Sequence, residues 1–313
     1  MRIGIFGRDR STTEDPFARY IGAARRAAED GFATFWLPQS FGTDALTVLA
    51  IIGREVPDIE LGTAVVPIYS RHPLTLASQA LTAQAASTPT GSGSSGSGGR
   101  VVLGIGLSHQ VLVENTFGGS FDKPVRTLRE YLSVLRPLLH GETVDFRGEV
   151  LTVASQVSVA AAPPCPVLVA ALGPQTLRVA GRLADGTITW VTGPDTIERH
   201  TVPTIRDAAE QAGREPPRIV VGLPICVTAD ERGARERANQ LFSVYGTLPS
   251  YRAMLDREGA QGPGDVAVVG TADEVRSQLE RLAEIGATDF IASEFGANPA
   301  EQAETRSVLR SLV

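Results

Sequence analysis

A chain of 313 residues, 42% hydrophobic and 20% charged, is long enough for two ordinary domains or one α/β barrel and has the composition of an ordinary soluble protein. Its net charge of −6 comes from 35 acidic and 29 basic side chains interspersed along the chain. No basic face therefore points to nucleic acid, and no polybasic run points to a membrane surface. The two cysteines, Cys165 and Cys226, lie far apart in apolar surroundings and read as reduced, buried thiols, without zinc-type spacing.

The opening run "MRIGIFGRDR" enters an apolar strand directly, without a signal-peptide h-region, and no apolar run reaches the roughly 18 residues that span a bilayer. A cytoplasmic location is expected. Strands are predicted at Ile3 to Phe6, Thr34 to Leu37, Leu61 to Val66, Val101 to Gly106, Val167 to Ala171, Thr187 to Val191, Ile219 to Cys226 and Asp289 to Ser293. Helix-period segments separate them: Pro16 to Asp30, Ala45 to Arg54, Pro73 to Ala86, Val125 to Leu139, Gln175 to Ala184, Pro194 to Ala212, Glu231 to Arg257, Ala272 to Ile285 and Pro299 to Leu312. Repeated β-then-α units without a G-x-G-x-x-G after the first strand predict an α/β fold of the (β/α)8 TIM-barrel class as one domain over 1–313, rather than an open doubly wound sheet.

Three segments exceed a minimal barrel. Residues 88–99, "TPTGSGSSGSGG", join the third helix to the fourth strand. They open no helix and contain no Lys, so they read as a flexible αβ connector on the face opposite the chemistry, not as a phosphate loop. Residues 141–155 alternate and turn at Arg147-Gly148, as a β-hairpin would. Residues 231–269 are too long for one helix and predict a helical insertion near the mouth. Its stretch "YGTLPSYRAMLDREG" either walls a pocket or packs on the barrel exterior.

The strand ends collect Gln39 and Ser40, Ala64 to Tyr69, Gly106 to Gln110, Leu172 to Thr176, Val191 to Gly193 and Glu294 to Gly296. That set lacks a Cys nucleophile or a metal-ligand cluster, which disfavours a hydrolase or metalloenzyme. Its glycines, amides and hydroxyls in an apolar rim suit a flat cofactor that brings its own reactivity. In "ALGPQTLRVAGRLADGTITW" a helix opens at once after strand five. Gly173 permits close approach, and the free N–H groups of Gln175 and Thr176, the Thr176 hydroxyl and the helix dipole favour a phosphate, although any βα turn shares such features. His109, in a glycine-flanked turn past a strand end, fits proton transfer or cofactor contact as well as a structural role. His72 before Pro73 reads as a helix cap, and His140 and His200 as surface residues. Trp36 belongs to the core, whereas Trp190 ends a strand and can face a cofactor.

The blocks "GFATFWLPQSFGTDALTVLA", "LGTAVVPIYSRHP", "GIGLSHQ" and "ALGPQTLRVAGRLADGTITWVTGP" resemble the luciferase-like monooxygenase superfamily, and within it the coenzyme F420-dependent oxidoreductases of actinobacteria. The similarity spans nearly the whole chain apart from the glycine run. It implies a homodimeric barrel that binds a flavin or deazaflavin over its strand ends and passes a hydride between reduced F420 and an activated C=C or C=O of a small organic substrate. It also implies a non-prolyl cis peptide at Ala64-Val65 behind the ring, with Gly173, Gln175 and Thr176 on the cofactor phosphate. Gln39, Gly106, Ser108 and Thr192 complete the implied cofactor contacts, His109 is the implied proton donor, and Ser40, Tyr69 and Trp190 line the implied substrate pocket. Gln39 and Ser40 replace an acid and a histidine found in several relatives, which argues against a sugar-phosphate substrate. An FMN-dependent monooxygenase of the same fold and a non-catalytic flavin-binding barrel are the alternatives.

Overall fold

A computed structural model describes residues 1–7, 15–88 and 99–313, so most of the Gly/Ser run lies outside the described residues. In chain order the first half contains β1 (Arg2–Phe6), α1 (Pro16–Glu29), β2 (Thr34–Leu37), α2 (Ala45–Glu55), β3 (Glu60–Thr63), β4 (Val66–Pro67), α3 (Pro73–Ser87), β5 (Val101–Gly106), α4 (Gln110–Asn115), α5 (Pro124–Leu139), β6 (Val144–Arg147) and β7 (Thr152–Ser155). The second half contains β8 (Val167–Ala170), α6 (Pro174–Leu183), β9 (Gly186–Trp190), α7 (Pro194–Thr196), α8 (Val202–Gln211), β10 (Arg218–Val227), α9 (Glu231–Leu241), α10 (Pro249–Glu258), β11 (Val268–Gly270), α11 (Ala272–Glu284), β12 (Asp289–Glu294) and α12 (Pro299–Arg310). Helix starts are written locally. Proline occupies the first turn of α1, α3, α5, α6, α10 and α12, where its missing N–H costs nothing. Asp15, Asp44 and Asn298 cap α1, α2 and α12, and Thr271 with Glu274 forms a capping box on α11.

β1, β2, β3, β5, β8, β9, β10 and β12 pair in parallel and close on themselves through β12 and β1. This is the eight-stranded TIM-type barrel expected from the alternating pattern. Inside it, side chains stack in layers. At the N-terminal end Arg218 binds the buried Asp289 at 2.6 Å and the half-buried Glu60 at 2.7 Å, and Arg2 joins both acids, so the Asp289 carboxylate is held between cations. Above them lie Trp36, Val102, Leu168, Ile188, Val220 and Ile291, with Phe6, Ala64 and Val65 next to them. A Cβ on Gly62 would sit 2.2 Å from the Trp36 ring, so glycine there makes room for the one indole that fills the barrel centre. Outside the ring, helices bury the opposite strand faces in a continuous apolar shell.

Four local expectations are corrected. Within 231–269 the chain also forms β11, because β10 runs ten residues, past its ring neighbour β9, and offers an edge that Val268–Gly270 pairs with. Residues Pro194 to Ala212 are not one regular helix: a π-helical turn at Ile197–Thr201 separates α7 from α8. A short helix, α4, follows β5 where none is predicted. In the hairpin Arg147 still pairs with Thr152, and the turn is closed by the Gly148 N–H on the Leu151 carbonyl, so it lies one to two residues later than Arg147-Gly148. Glu130 of α5 explains that shift, because its carboxylate gathers the N–H groups of Glu149, Val150 and Leu151. Among the described residues no helix is long and apolar enough to cross a membrane.

Candidate active site

The register of the barrel brings the loops named above to one rim. Pro67 and Ala170 both pair with Gly106, so the segments after β4, β5 and β8 leave the sheet side by side. Between β3 and β4 the Ala64-Val65 peptide is cis, at the place the resemblance implies. A Cβ on Gly106 would meet Val65 Cγ2 at 2.8 Å and Ala170 Cβ at 3.4 Å, so glycine keeps the floor of the rim low beside that bulge.

Beyond Gly106 the chain turns through Ser108, whose φ is +61°, and this places His109 at the start of α4. The His109 ring packs 5.6 Å from the ring of Tyr251 on α10. Burial lowers the His109 pKa below its ordinary value. At neutral pH the ring is a neutral imidazole.

Tyr251 in turn lies 4.9 Å from Tyr245, Tyr245 lies 5.8 Å from Trp190, and Trp190 stacks on Phe6 at 5.6 Å with only 16° between the planes. Phe242 backs Trp190 edge-on, and Phe295 backs Phe242. A continuous run of rings thus crosses the mouth from β1 to the loop after β5. The indole N–H of Trp190 and the hydroxyl of Ser293 are buried without a hydrogen-bond partner among the described residues. Buried donors without partners are costly and mark places where a further group can bind.

The region 231–265 holds its aromatic residues there by specific anchors. Glu258 accepts the N–H of Asp195 at 3.0 Å and of Thr196 at 2.7 Å, which caps the helix after β9. Arg252 donates to the carbonyls of Gln261 at 2.8 Å and of Ala260 at 2.5 Å, closing the end of α10. The sequence left open whether "YGTLPSYRAMLDREG" walls a pocket or packs outside. Tyr245 and Tyr251 face the mouth, while Met254 and Leu255 are buried.

The other predicted site residues fall in three groups. At α6, Gly173 is the N-cap, no side chain caps the helix, and a Cβ on Gly173 would find nothing nearer than Thr176 Oγ1 at 3.8 Å. Among the described residues the first-turn N–H groups of Gln175 and Thr176 have no hydrogen-bond partner, although the Thr176 hydroxyl donates back to the Gly173 carbonyl at 2.9 Å. Gln39 is differently employed: its Oε1 accepts from Ala45 N–H at 2.9 Å and from Arg71 at 3.0 Å, and its Nε2 donates to the Ser40 carbonyl at 2.8 Å. Its amide braces the loop after β2, with Arg71 also bonded to Asp44, and Ser40 is exposed beside it. Tyr69 packs on Phe121 at 5.6 Å, and the buried Thr192 turns its hydroxyl to the Trp190 carbonyl at 3.3 Å.

Among the histidines, His72 caps α3 through its Nδ1 and His140 is exposed, as expected. His200 is not a surface residue. The π turn rotates it inward, and its Nε2 lies 2.9 Å from the carbonyl of Leu172, immediately before the Gly173 turn. Burial lowers its pKa, the Leu172 contact opposes this, and Arg257 and Arg178 lower it further. A regular helical period could not have shown this, because the π turn breaks that period. The free cysteines are both buried, and burial pushes the Cys165 thiol up to about 12 and that of Cys226 up to about 11.

Comparison with known proteins agrees with this fold. The chain is 26% identical over 314 residues to the 5,10-methylenetetrahydromethanopterin reductase of Methanolobus tindarius, covering 91% of this chain and 93% of that protein. The solved coenzyme F420-dependent tetrahydromethanopterin reductase of Methanopyrus kandleri superposes with a TM-score of 0.76 at 21% identity, covering 99% and 96% of the two chains. The FMN complex of the oxygenating constituent of 3,6-diketocamphane monooxygenase, from Pseudomonas putida, gives 0.75 at 16% identity, covering 99% and 96%. At these identities the superpositions establish the shared barrel. The luciferase-like monooxygenase family model matches residues 1–289, which contain every segment of the rim but the last part of β12 and the loop after it, and the chain therefore belongs to that family of oxidoreductases.

Proposed function

We propose that the protein transfers a hydride between reduced coenzyme F420 and the C=O or activated C=C of a small organic substrate. The observation that carries this reading is the convergence, on one rim, of the Ala64-Val65 bulge, the low floor at Gly106 and a half-buried neutral His109. When bound, the deazaflavin supplies the hydride. The chain's own residues fit such a group. A flat ring needs a floor without side chains, which Gly106 keeps low, and an apolar wall, which Ala64 and Val65 offer. A phosphate needs N–H donors at an uncapped helix start, which Gln175 and Thr176 have, with Gly173 leaving the approach clear. Ser108 and Thr192 belong to the same rim. As an imidazolium, which burial confines to pH below the ordinary histidine value of 6.5, His109 would donate the proton that the substrate oxygen or carbon takes up, and as the neutral ring it would accept one in the reverse direction.

The F420 assignment is supported by the coenzyme F420 dependence of the Methanopyrus kandleri reductase, and the FMN complex of the Pseudomonas putida barrel supports flavin monooxygenation as the second reading. We further propose a cytoplasmic homodimer without nucleic-acid or membrane partners. Titration of the purified protein with F420 and with FMN, followed by fluorescence quenching, separates the two readings. Tight F420 binding with hydride turnover is expected; tight FMN binding with indifference to F420 would overturn the cofactor assignment.

A further inference from the structure

The turn before α6 is held from behind by a buried side chain. His200 is only 8% exposed, and its Nε2 donates to the Leu172 carbonyl at 2.9 Å. The peptide joining Leu172 to Gly173 is trans, so its C=O and its N–H point to opposite sides of the chain. Fixing the oxygen on His200 therefore turns the Gly173 N–H away from the π turn. With the N–H groups of Gln175 and Thr176 it makes three donors that have no hydrogen-bond partner among the described residues, and Pro174 between them has no N–H.

The charges that reach His200 are both positive. Arg178 of α6 and Arg257 of α10 act on the ring, both are exposed, and neither has an acidic partner among the described residues. The acids on neighbouring elements are engaged elsewhere: Asp195 and Glu198 pair with Arg281, and Glu258 binds the start of α7. The remaining charged side chains of the packed elements, Arg182 of α6, Arg199 of the π turn, and Arg206, Asp207 and Glu210 of α8, are exposed to solvent. Burial and the two arginines favour the neutral ring. An anion on the three N–H groups would offset both arginines and so favour the charged ring. The second proton goes to Nδ1, which leaves the Nε2–H on Leu172 and the turn intact.

We propose that His200 is a positioning residue for the cofactor phosphate: it sets the Leu172–Gly173 peptide so that three N–H groups are free for the phosphate, and its ring takes up a proton from solvent as the anion binds. This rests on the reading of Gly173, Gln175 and Thr176 as the phosphate site. Binding and proton uptake are reciprocal, so anion affinity increases as pH falls.

Two measurements test it. Sulfate, a dianion at every pH used, is titrated against the cofactor-free protein while the four histidine rings are followed by NMR, with His200→Gln assigning the signal. Sulfate, and not chloride at equal ionic strength, should move the His200 titration to higher pH and leave His72 and His140 unmoved. The sulfate dissociation constant should fall roughly threefold or more from pH 8 to pH 5, and should stay flat in His200→Gln. A His200 titration that sulfate does not move would overturn the proposal.

The second measurement, at pH 8, compares affinity for F420 with that for its phosphate-free deazariboflavin in the wild type, His200→Gln and His200→Ala. The ratio within each variant cancels any general loss of folding. Wild type and His200→Gln, whose amide still donates to Leu172, should prefer the phosphorylated form by similar factors, and His200→Ala should lose roughly tenfold of that preference. A preference that survives His200→Ala overturns the proposal and leaves the phosphate-site reading; no preference in the wild type overturns both. If FMN against riboflavin shows the expected pattern and F420 does not bind, the F420 assignment falls while the role of His200 stands.

Discussion

Thr196 donates its backbone N–H to the carboxylate of Glu258 at 2.7 Å, across 62 residues of sequence. Asp195 donates to the other oxygen of the same carboxylate, so one side chain of α10 closes the helix start after β9 and pins the 231–265 region over the mouth. Charge-assisted bonds of this kind contribute roughly 1.5–3 kcal/mol, and the helix dipole adds to them. Glu258→Ala should lower the thermal midpoint and shift Trp190 emission towards that of a solvated indole, as Tyr245 moves away. Gly193→Ala should act in the same direction, because a Cβ there would lie 2.3 Å from the Glu258 carboxyl carbon. Unchanged emission in both variants would mean that Glu258 does not hold the aromatic cover.

His109 is expected to act on the reaction more than on binding. His109→Ala should reduce turnover by about 10²- to 10⁴-fold while F420 affinity changes only a few fold. Because burial lowers its pKa, the imidazolium that donates a proton becomes populated only below the ordinary histidine value of 6.5. Reductive kcat should therefore rise as pH falls through that region, and the oxidative reaction, which needs the neutral ring as base, should show the opposite limb. A pH–rate profile of the His109→Gln variant that keeps the reductive limb would assign it to another group.

His200 links the Gly173 turn to pH through stability. Its folded pKa is depressed, so between the ordinary value of 6.5 and the folded value the unfolded chain binds the proton and the folded one does not. The contribution is full above 6.5, falls as pH drops below it, and is lost under the folded pKa. Urea midpoints measured from pH 7.5 to 5 should decline, and His200→Gln, whose amide can still donate to the Leu172 carbonyl, should decline less. Identical slopes would show that His200 titrates normally in the folded protein.

Glu130 makes the opposite case with a carboxylate. Burial pushes its pKa up, but the N–H groups of Val150, Glu149 and Leu151, with Arg126, outweigh that and hold it below the ordinary value of 4.5. The stabilisation is present above 4.5 and is lost as pH falls through the folded pKa. Glu130→Ala strands those three donors and should cost about 3 kcal/mol at pH 7. Glu130→Gln should cost less and lose its acid sensitivity, which chemical denaturation at pH 7 and pH 4 can measure.

Much of this protein follows from local chain chemistry. Short apolar runs at β1, β5 and β12, helical periods opened by proline or Asp caps, and a β-then-α order without a dinucleotide fingerprint leave few closed topologies, because hydrophobic run length, capping and chain order act over neighbouring residues. The positions of Trp36, His72 and the cis Ala64-Val65 peptide were legible for the same reason or from the shared motifs. Tertiary structure decided the rest. Gln39 is braced by Arg71, 32 positions away, and His200 turns inward at a π turn that no regular helical period contains. Tyr245 and Tyr251 become mouth residues because Glu258 reaches the start of α7. Burial and polar pairing are properties of segments that meet in space, and a period read along one segment carries no record of its partner.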